Sequence, residues 1–297
     1  MKFKKLPIYT LTAALMAAPT VGFASHWDDE EELELDEAYL YFELNDTDGD
    51  LGIHGKADGD AWKRMKIEAP NERILLNINV RSRLRRQGLT ELFFESAEPC
   101  FPETCEDPDD GLDPEVFFSR FPAGVYEWEG LTLDYEEIEG EVYLSQRIPA
   151  APVVHSVGGD MTPADGECWN PGDVDEVIID WNEVTHTHAS LGSDTNAELG
   201  DNSVIYYEFV VEIDGTEYKS TALVPPDTTQ WTVPEEFIDL TDGLMVENDD
   251  GMLEEVEEIK FEIIVRVETG EHEDDDGEDI IDSKPGNQSA VESCFDI

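Results

Sequence analysis

One short segment near the C-terminus constrains the fold more than any other feature. From residue 259 to residue 267, Ile, Phe, Ile, Val and Val occupy every second position, and the residues between them are mostly charged. A period of two is the pattern of a β-strand that buries one face and exposes the other. The same parity occurs in residues 177–181, 205–213 and 231–233. The second half of the chain is therefore predicted to form a β-sandwich.

The first half of the chain shows strand patterns as well. Strands are predicted over residues 38–44, 74–84, 89–95, 125–128 and 142–148, with a turn at residues 58–60. A helix is predicted to begin with Asp113 as its N-cap and Pro114 in its first turn, and to end near Phe121. The predicted fold class is all-β, with two tandem β-sandwich domains.

The N-terminus has the pattern of an export signal. Lys2, Lys4 and Lys5 precede an apolar stretch over residues 6–18, and small residues lie just before residue 25. Residues 1–24 are therefore predicted to be a signal peptide. Residues 25–37 are predicted to be a disordered acidic leader, because eight of the ten residues from 28 to 37 are Asp or Glu. No later stretch is apolar enough for a membrane helix, so a secreted or periplasmic location is predicted.

All four cysteines follow the predicted signal peptide. In an exported protein they are expected to form disulfides rather than a metal site, and four cysteines allow three connectivities. Cys100 and Cys105 are close enough in sequence to pin a turn. That pairing leaves Cys168 to bond with Cys294.

The chain is strongly acidic. It contains 72 acidic and 18 basic residues, which gives a formal net charge of -54. This charge disfavours nucleic acids and acidic membranes as partners. Adaptation to a salt-rich environment, where screening weakens self-repulsion, is favoured over a specialised cation-binding role.

Residues 152–297 resemble a fibronectin type III domain. The resemblance rests on a Pro-rich entry, on Trp181, Tyr207 and Phe261 in successive predicted strands, and on residues 286–289 before the last strand. It implies a spacer or display module over residues 153–297. Three features depart from the family pattern: Phe261 replaces a tyrosine, residues 235–258 form a long acidic insert, and Cys168 with Cys294 is an additional pair.

Residues 38–148 are predicted to form a separate β-rich domain of unknown type. Residues 87–96 and 121–126 resemble uncharacterised secreted bacterial proteins, and this resemblance implies no activity. Two prolines, Pro149 and Pro152, give a stiff extended segment, so residues 149–152 are predicted to be a hinge.

An acidic turn in the first half is the candidate metal site. Carboxylate oxygens on a tight turn suit calcium, and the candidate ligands are Asp46, Asp48, Asp50 and Asp58. The spacing does not match an EF-hand. The alternative is a solvated turn between strands. A second candidate combines His186, His188 and His272 in loops at one pole of the predicted sandwich, a set that suits zinc or nickel-like ions, with solvated loops as the alternative.

Arginines alternate with apolar residues in the predicted strand over residues 74–84. Arg81, Arg83 and Arg85 would then share one face and are the candidate ligand-binding residues for an anionic ligand such as an acidic polysaccharide. The alternative is a ladder of ion pairs with Glu91, Glu95 or Glu127 on neighbouring strands.

Catalytic motifs are lacking in the sequence, so no catalytic residues are assigned. The predicted function is that of a secreted, non-enzymatic binding or surface-association protein, with an extracellular or cell-surface protein or glycan as its partner. The alternative is a calcium-assisted carbohydrate-binding protein that uses the first domain, with Trp62, Tyr126 and Trp128 as exposed aromatic residues. Packing in the core explains these three residues equally well. No cofactor is assigned from the sequence, and calcium is the candidate for this function.

Overall fold

A computed structural model gives the structure of residues 33–297 with short gaps. The residues that it does not describe are 1–32, 103, 106, 108, 110, 162, 164–167, 173–175, 201–202, 248–250, 269–271, 274–278 and 281–285, and the side chains of 272, 273, 279 and 280. The predicted signal peptide and leader residues 25–32 lie outside the described residues. The described residues belong to one compact unit, residues 32–297.

The chain up to residue 148 folds mainly into strands. In chain order its elements are β1 (Leu33–Glu34), β2 (Glu37–Asn45), β3 (Asp50–Glu68), β4 (Ile74–Asn79), α1 (Ser82–Gln87), β5 (Leu89–Glu95), α2 (Pro114–Arg120), β6 (Gly124–Thr132) and β7 (Glu137–Leu144).

The remainder of the chain is also mostly β. Its elements are β8 (Val154–Val157), β9 (Ile178–Trp181), β10 (Val204–Glu212), β11 (Lys219–Val224), β12 (Gln230–Thr232), α3 (Glu235–Ile238), a 3-10 helix (Asp239–Thr241), β13 (Met245–Glu247), β14 (Leu253–Glu255), β15 (Glu258–Val267), β16 (His272–Glu273), β17 (Asp279–Ile280) and β18 (Gln288–Asp296). The all-β prediction is confirmed, and the sheets form a sandwich-like arrangement.

One large sheet contains strands from both halves of the chain. Its order is β1-β7-β6-β3-β2-β18-β15-β10-β11, and β4 and β5 also pair with β3. A separate three-stranded sheet has the order β12-β9-β8. Strand β18, at the end of the chain, pairs in parallel with β2, near its beginning. The large sheet is therefore continuous across the predicted domain boundary.

Strand β3 organises the first hydrophobic core. Its first part pairs with β2 and β5 and its second part with β4 and β6, with register shifts between Asp58 and Arg64. Trp62 lies at these shifts and is completely buried. It packs in a core with residues such as Phe42, Trp128 and Phe117. Side chains from the two parts of β3 and their partner strands thus enclose one apolar cluster.

A second hydrophobic core lies between the three-stranded sheet and strands β10, β15 and β18. Trp181 on β9 contacts Tyr207 and Phe209 on β10, with ring centroids 5.6 and 6.0 Å apart. Phe209 stacks on Trp231 of β12, at a centroid distance of 4.4 Å. The alternation in β15 is confirmed, because Ile259, Phe261, Ile263, Val265 and Val267 all point into this core.

The segment between β7 and β8 is hydrogen-bonded on both sides. On one side, Asn287 donates to the carbonyl oxygens of Ser145 and Arg147, at 2.9 Å each, and Ser289 Oγ donates to Pro149 O at 2.6 Å. On the other side, residues 186–193 form backbone hydrogen bonds with residues 146–150. We infer that the segment containing the predicted hinge is held in place by these bonds.

Three local predictions are wrong. The strand predicted over residues 74–84 ends at Asn79, because Ser82 adopts a left-handed backbone conformation with φ of 58° and α1 follows. Residues 58–60 form no turn, since β3 runs through them. Residues 33–37 of the predicted disordered leader are ordered, because β1 pairs in parallel with β7. The helix with Asp113 as N-cap is confirmed: its side chain accepts a hydrogen bond from the backbone N–H of Glu115 at 2.8 Å.

Candidate functional site

The outer face of the large sheet carries a group of aromatic and charged side chains. Arg266 of β15 is opposite Gln288 of β18, which is opposite Glu43 of β2. Tyr41 of β2 is opposite His54 of β3. Because side chains alternate between the two sides of a sheet, all of these residues share one face, which we call the outer face.

Arg266 joins the two halves of the chain on the outer face. It is only 8% exposed, and its Cζ atom lies 4.9 Å from the ring centroid of Tyr41 and 5.5 Å from that of Tyr206. Its Nη2 atom donates a hydrogen bond to Gln288 Oε1. A guanidinium between two aromatic rings is a stabilising cation–π arrangement. The contact between Arg266 and Tyr41 therefore ties β15 to β2.

His54 lies beside this group and is 5% exposed. Its ring stacks on that of Tyr41 at a centroid distance of 4.9 Å and lies 6.0 Å from the ring of Phe93 on β5. Its Nε2 atom is 3.3 Å from Glu43 Oε2 and 3.4 Å from Glu98 Oε1. Its Nδ1 atom is buried and has no hydrogen-bond partner among the described residues. The aromatic rings thus hold the imidazole with one nitrogen directed at carboxylates.

Three carboxylates surround the His54 imidazole. Glu95 is opposite His54 in the pairing of β3 with β5, and ligand atoms of His54, Glu95 and Glu98 all lie within 4.8 Å of one another. Burial raises the pKa of Glu43; His54 opposes this shift, and the charges of Glu98 and Glu95 add to it. We call His54, Glu43, Glu95 and Glu98 the His54 cluster.

The turn between β2 and β3 continues this acidic region. The Asn45 side-chain oxygen accepts hydrogen bonds from the backbone N–H groups of Thr47 and Asp48, at 3.1 and 3.3 Å. Gly49 closes the turn with a positive φ of 68°, a conformation that glycine adopts without strain. Burial and the charges of Glu98, Asp48 and Glu292 raise the pKa of Asp50 to about 6.

The structure brings together only part of the predicted calcium set. Asp46, Asp48 and Asp50 lie at the turn, but Asp58 is opposite Glu37 at the far end of the β2–β3 hairpin. Asp58 lies eight steps along an extended strand from Asp50, a span of about 27 Å. Asp58 therefore lies too far away to share an ion with the turn. Asp46 Oδ1 is 3.2 Å from His188 Nε2.

Both predicted cysteine pairs are at bonding distance. The Cα atoms of Cys100 and Cys105 are 5.4 Å apart, and those of Cys168 and Cys294 are 4.7 Å apart. The first pair closes a loop against the β2–β3 turn, where Thr104 Oγ1 donates to Gly49 O at 2.8 Å. Glu258 lies near the second pair, but these two sulfurs bond to each other and do not serve as metal ligands.

The three candidate arginines do not form a row on a strand. Arg81 precedes α1, Arg83 and Arg85 lie within it, and all three are exposed. In a helix, the side chain of Arg83 points away from the side shared by Arg81 and Arg85. Within the described part of the chain, none of them forms an ion pair with Glu91, Glu95 or Glu127. Binding of an anionic ligand by these arginines stays a prediction.

Other predicted site residues lie elsewhere. Trp62, Tyr126 and Trp128, expected to be exposed, are completely buried in the first core. His186 hydrogen-bonds to Thr185, its neighbour in the chain, and the side chain of His272 lies outside the described residues.

Sequence reasoning missed the His54 cluster. The strand before the turn at residues 46–49 is predicted from the sequence, and continuing the alternation beyond the turn places Glu43 and His54 on the same face. Glu95 and Glu98 carry no such local signal, because they meet His54 through the pairing of β3 with β5.

No family model matches the chain, and no curated protein matches it. Solved structures that align with this chain include the FN1-FN3 domains of chicken CNTN1, at 10% sequence identity and a TM-score of 0.26. They also include a 1.5-MDa bacterial ice-binding adhesin, at 12% identity and a TM-score of 0.23.

These alignments cover 89% and 90% of this chain, and 64% and 66% of the respective matched chains. At these values the similarity does not identify a ligand or a function. In the described part of the chain, no helix is long and apolar enough to span a membrane.

Proposed function

We propose that this protein is a secreted, non-enzymatic binding protein that attaches to a surface glycan through the outer face of its large sheet. The observation that carries the proposal is the exposed ring of Phe93 beside the His54 cluster. Phe93 is 52% exposed and extends the line of rings formed by Tyr41 and His54. Sugar rings pack on such apolar ring faces, and carboxylates accept hydrogen bonds from sugar hydroxyl groups.

Charge narrows the class of glycan. The outer face carries Glu43, Glu95 and Glu98 in one place, and the chain as a whole has a net charge of -54. An acidic polymer would be repelled from this face. A neutral or amine-bearing glycan is therefore the expected ligand.

Residues 153–297 are proposed to be a fibronectin type III-like module that displays this face. Supporting this, strands β8, β9 and β12 form one sheet that lies against β10, β11, β15 and β18 across a common core. Seven strands in two facing sheets are the architecture of such domains. The module contributes Arg266 and Tyr206 to the outer face.

The alternative function, calcium-assisted carbohydrate binding, has less support than the sequence suggested. Its three aromatic residues are buried, so they are not accessible to a sugar. Calcium binding by Asp46, Asp48 and Asp50 stays a separate prediction.

The test is binding of the mature full chain to a panel of neutral, amine-bearing and acidic glycans. Phe93→Ala is expected to weaken binding about tenfold, which corresponds to about 1.4 kcal/mol. Tyr218→Ala is the matched control, because Tyr218 is an exposed aromatic residue in the turn between β10 and β11. Equal affinities for the two variants, or a preference for acidic glycans, would contradict the proposal.

A further inference from the structure

The His54 cluster has the dimensions of a metal site. A tetrahedral ion with bonds of about 2.1 Å to nitrogen and oxygen separates its ligand atoms by about 3.4 Å. His54 Nε2 lies 3.3 Å from Glu43 Oε2 and 3.4 Å from Glu98 Oε1. Ligand atoms of His54, Glu95 and Glu98 lie within 4.8 Å of one another, and Glu95 lies at an exposed position.

We propose that His54, Glu43, Glu95 and Glu98 bind one divalent cation of the zinc or manganese class. One imidazole nitrogen and several carboxylate oxygens form a mixed donor set that suits these ions. Calcium prefers six to eight oxygen ligands, so it is expected to bind more weakly here. This site is distinct from the predicted calcium turn and does not depend on glycan binding.

The charges around the cluster favour a bound cation. Within the described residues, no lysine or arginine nitrogen lies within 4.0 Å of the carboxylates of Glu43, Glu95 or Glu98. Arg266 acts on Glu43 only from a longer distance. A divalent cation at the cluster would place two positive charges directly among the three carboxylates and accept the lone pair of the His54 imidazole.

The surroundings of His54 fix its orientation. The ring is buried between Tyr41 and Phe93, and Nε2 is the nitrogen that faces the carboxylates. Its Nδ1 atom has no hydrogen-bond partner in the part of the chain that the structure describes, and packing positions the ring. A ligand that is already oriented loses little entropy when it binds an ion.

The experiment is calorimetric titration of the mature, untagged full chain after treatment with a chelator. Zn²⁺ and Mn²⁺ are compared with Ca²⁺ and Mg²⁺ at matched ionic strength, because a chain this acidic attracts any cation nonspecifically. The expected result is one site per chain that binds Zn²⁺ or Mn²⁺ at least tenfold more tightly than Ca²⁺. His54→Gln and Glu98→Gln are expected to weaken that site at least about tenfold.

Two matched controls distinguish metal ligation from nonspecific attraction of cations by the acidic chain. His155→Gln and Glu141→Gln remove an exposed imidazole and an exposed carboxylate elsewhere, and neither should change the affinity. Glu95→Gln tests the cluster at an exposed position, so it reports on ligation even if His54→Gln unfolds. The proposal is overturned if all cluster variants bind Zn²⁺ as the controls do, or if the wild type does not distinguish Zn²⁺ and Mn²⁺ from Ca²⁺.

Discussion

Replacing Asn287 tests whether the two halves of the chain are held together by a few buried hydrogen bonds. Asn287 is completely buried at the start of β18. Its side-chain oxygen accepts a hydrogen bond from the backbone N–H of Phe42 at 2.9 Å, and its amide nitrogen donates to the carbonyl oxygens of Ser145 and Arg147. One side chain thus joins β18, β2 and the segment after β7.

The expected loss follows from these three contacts. Asn287→Ala removes the two hydrogen bonds that its amide nitrogen donates, which contribute about 1 kcal/mol each. It also leaves the buried N–H of Phe42 without its partner, which costs about 1–3 kcal/mol. The free energy of unfolding should therefore fall by about 3–5 kcal/mol. That is a large part of the 5–15 kcal/mol that is typical of folded domains.

The assay is denaturant unfolding of the mature full chain, followed by far-UV circular dichroism and by tryptophan fluorescence. Limited proteolysis, with mapping of the cleavage sites, shows whether residues 145–152 become accessible. Asn77→Ala is the control, because Asn77 is exposed on β4. A loss below about 1 kcal/mol, or no difference from the control, would refute the reasoning.

Three further predictions concern charge. The separate prediction of an anionic-ligand site at α1 expects weak, salt-dependent binding of dextran sulfate away from the outer face. Replacing Arg81, Arg83 and Arg85 by Gln should abolish it without changing the melting temperature, because all three side chains are exposed. Unchanged binding in a pull-down would contradict this prediction. The melting temperature should rise with salt up to roughly 0.5 M, to the same extent in NaCl and KCl, because screening weakens charge repulsion. If Asp46, Asp48 and Asp50 bind calcium, CaCl₂ at matched ionic strength should raise the melting temperature further. Equal melting curves in NaCl and CaCl₂ would reject that site. Burial and the charge of Glu292 raise the pKa of Glu262 to about 7. The folded protein therefore holds this proton more tightly than the unfolded chain does, and the free energy of unfolding should fall as pH rises towards 7. Glu262→Gln should flatten this fall in denaturation measured across pH, and an unchanged slope would contradict this cause.

Local patterns predicted the parts of the fold whose signals lie within a few residues. Alternation identified β15 because its apolar positions all enter one core. The strand predicted over residues 89–95 coincides with β5, which ends where the chain turns into a run without regular structure. Asp113 and Pro114 identified α2 because capping is a contact between neighbouring residues.

Other parts depend on contacts that local patterns do not reveal. Arginine and leucine alternate before Gln87 in a way that fits a strand, but these residues gain no partner strand and form the exposed helix α1 instead. Asp58, Gly59 and Asp60 have the composition of a turn, yet pairing with β2 and β5 holds the adjoining residues in β3. In both places long-range pairing, or its absence, overrode local preference.

The outer face depends on the longest-range pairing in the protein. Glu43 and Gln288 are neighbours only because β18 lies parallel to β2, and Arg266 reaches Tyr41 only because β15 lies next to β18. The sequence shows that Arg266 and His54 each occupy a polar position on an alternating strand, which would place them separately at the surface. The β2–β3 hairpin places His54 beside Tyr41, and the closure of the sheet brings Arg266 to the same tyrosine ring. The His54 cluster itself comes from the first half of the chain, and joining the two halves adds Arg266 against the Tyr41 ring that packs on His54. A change that separates β18 from β2 should therefore lower stability and loosen Tyr41.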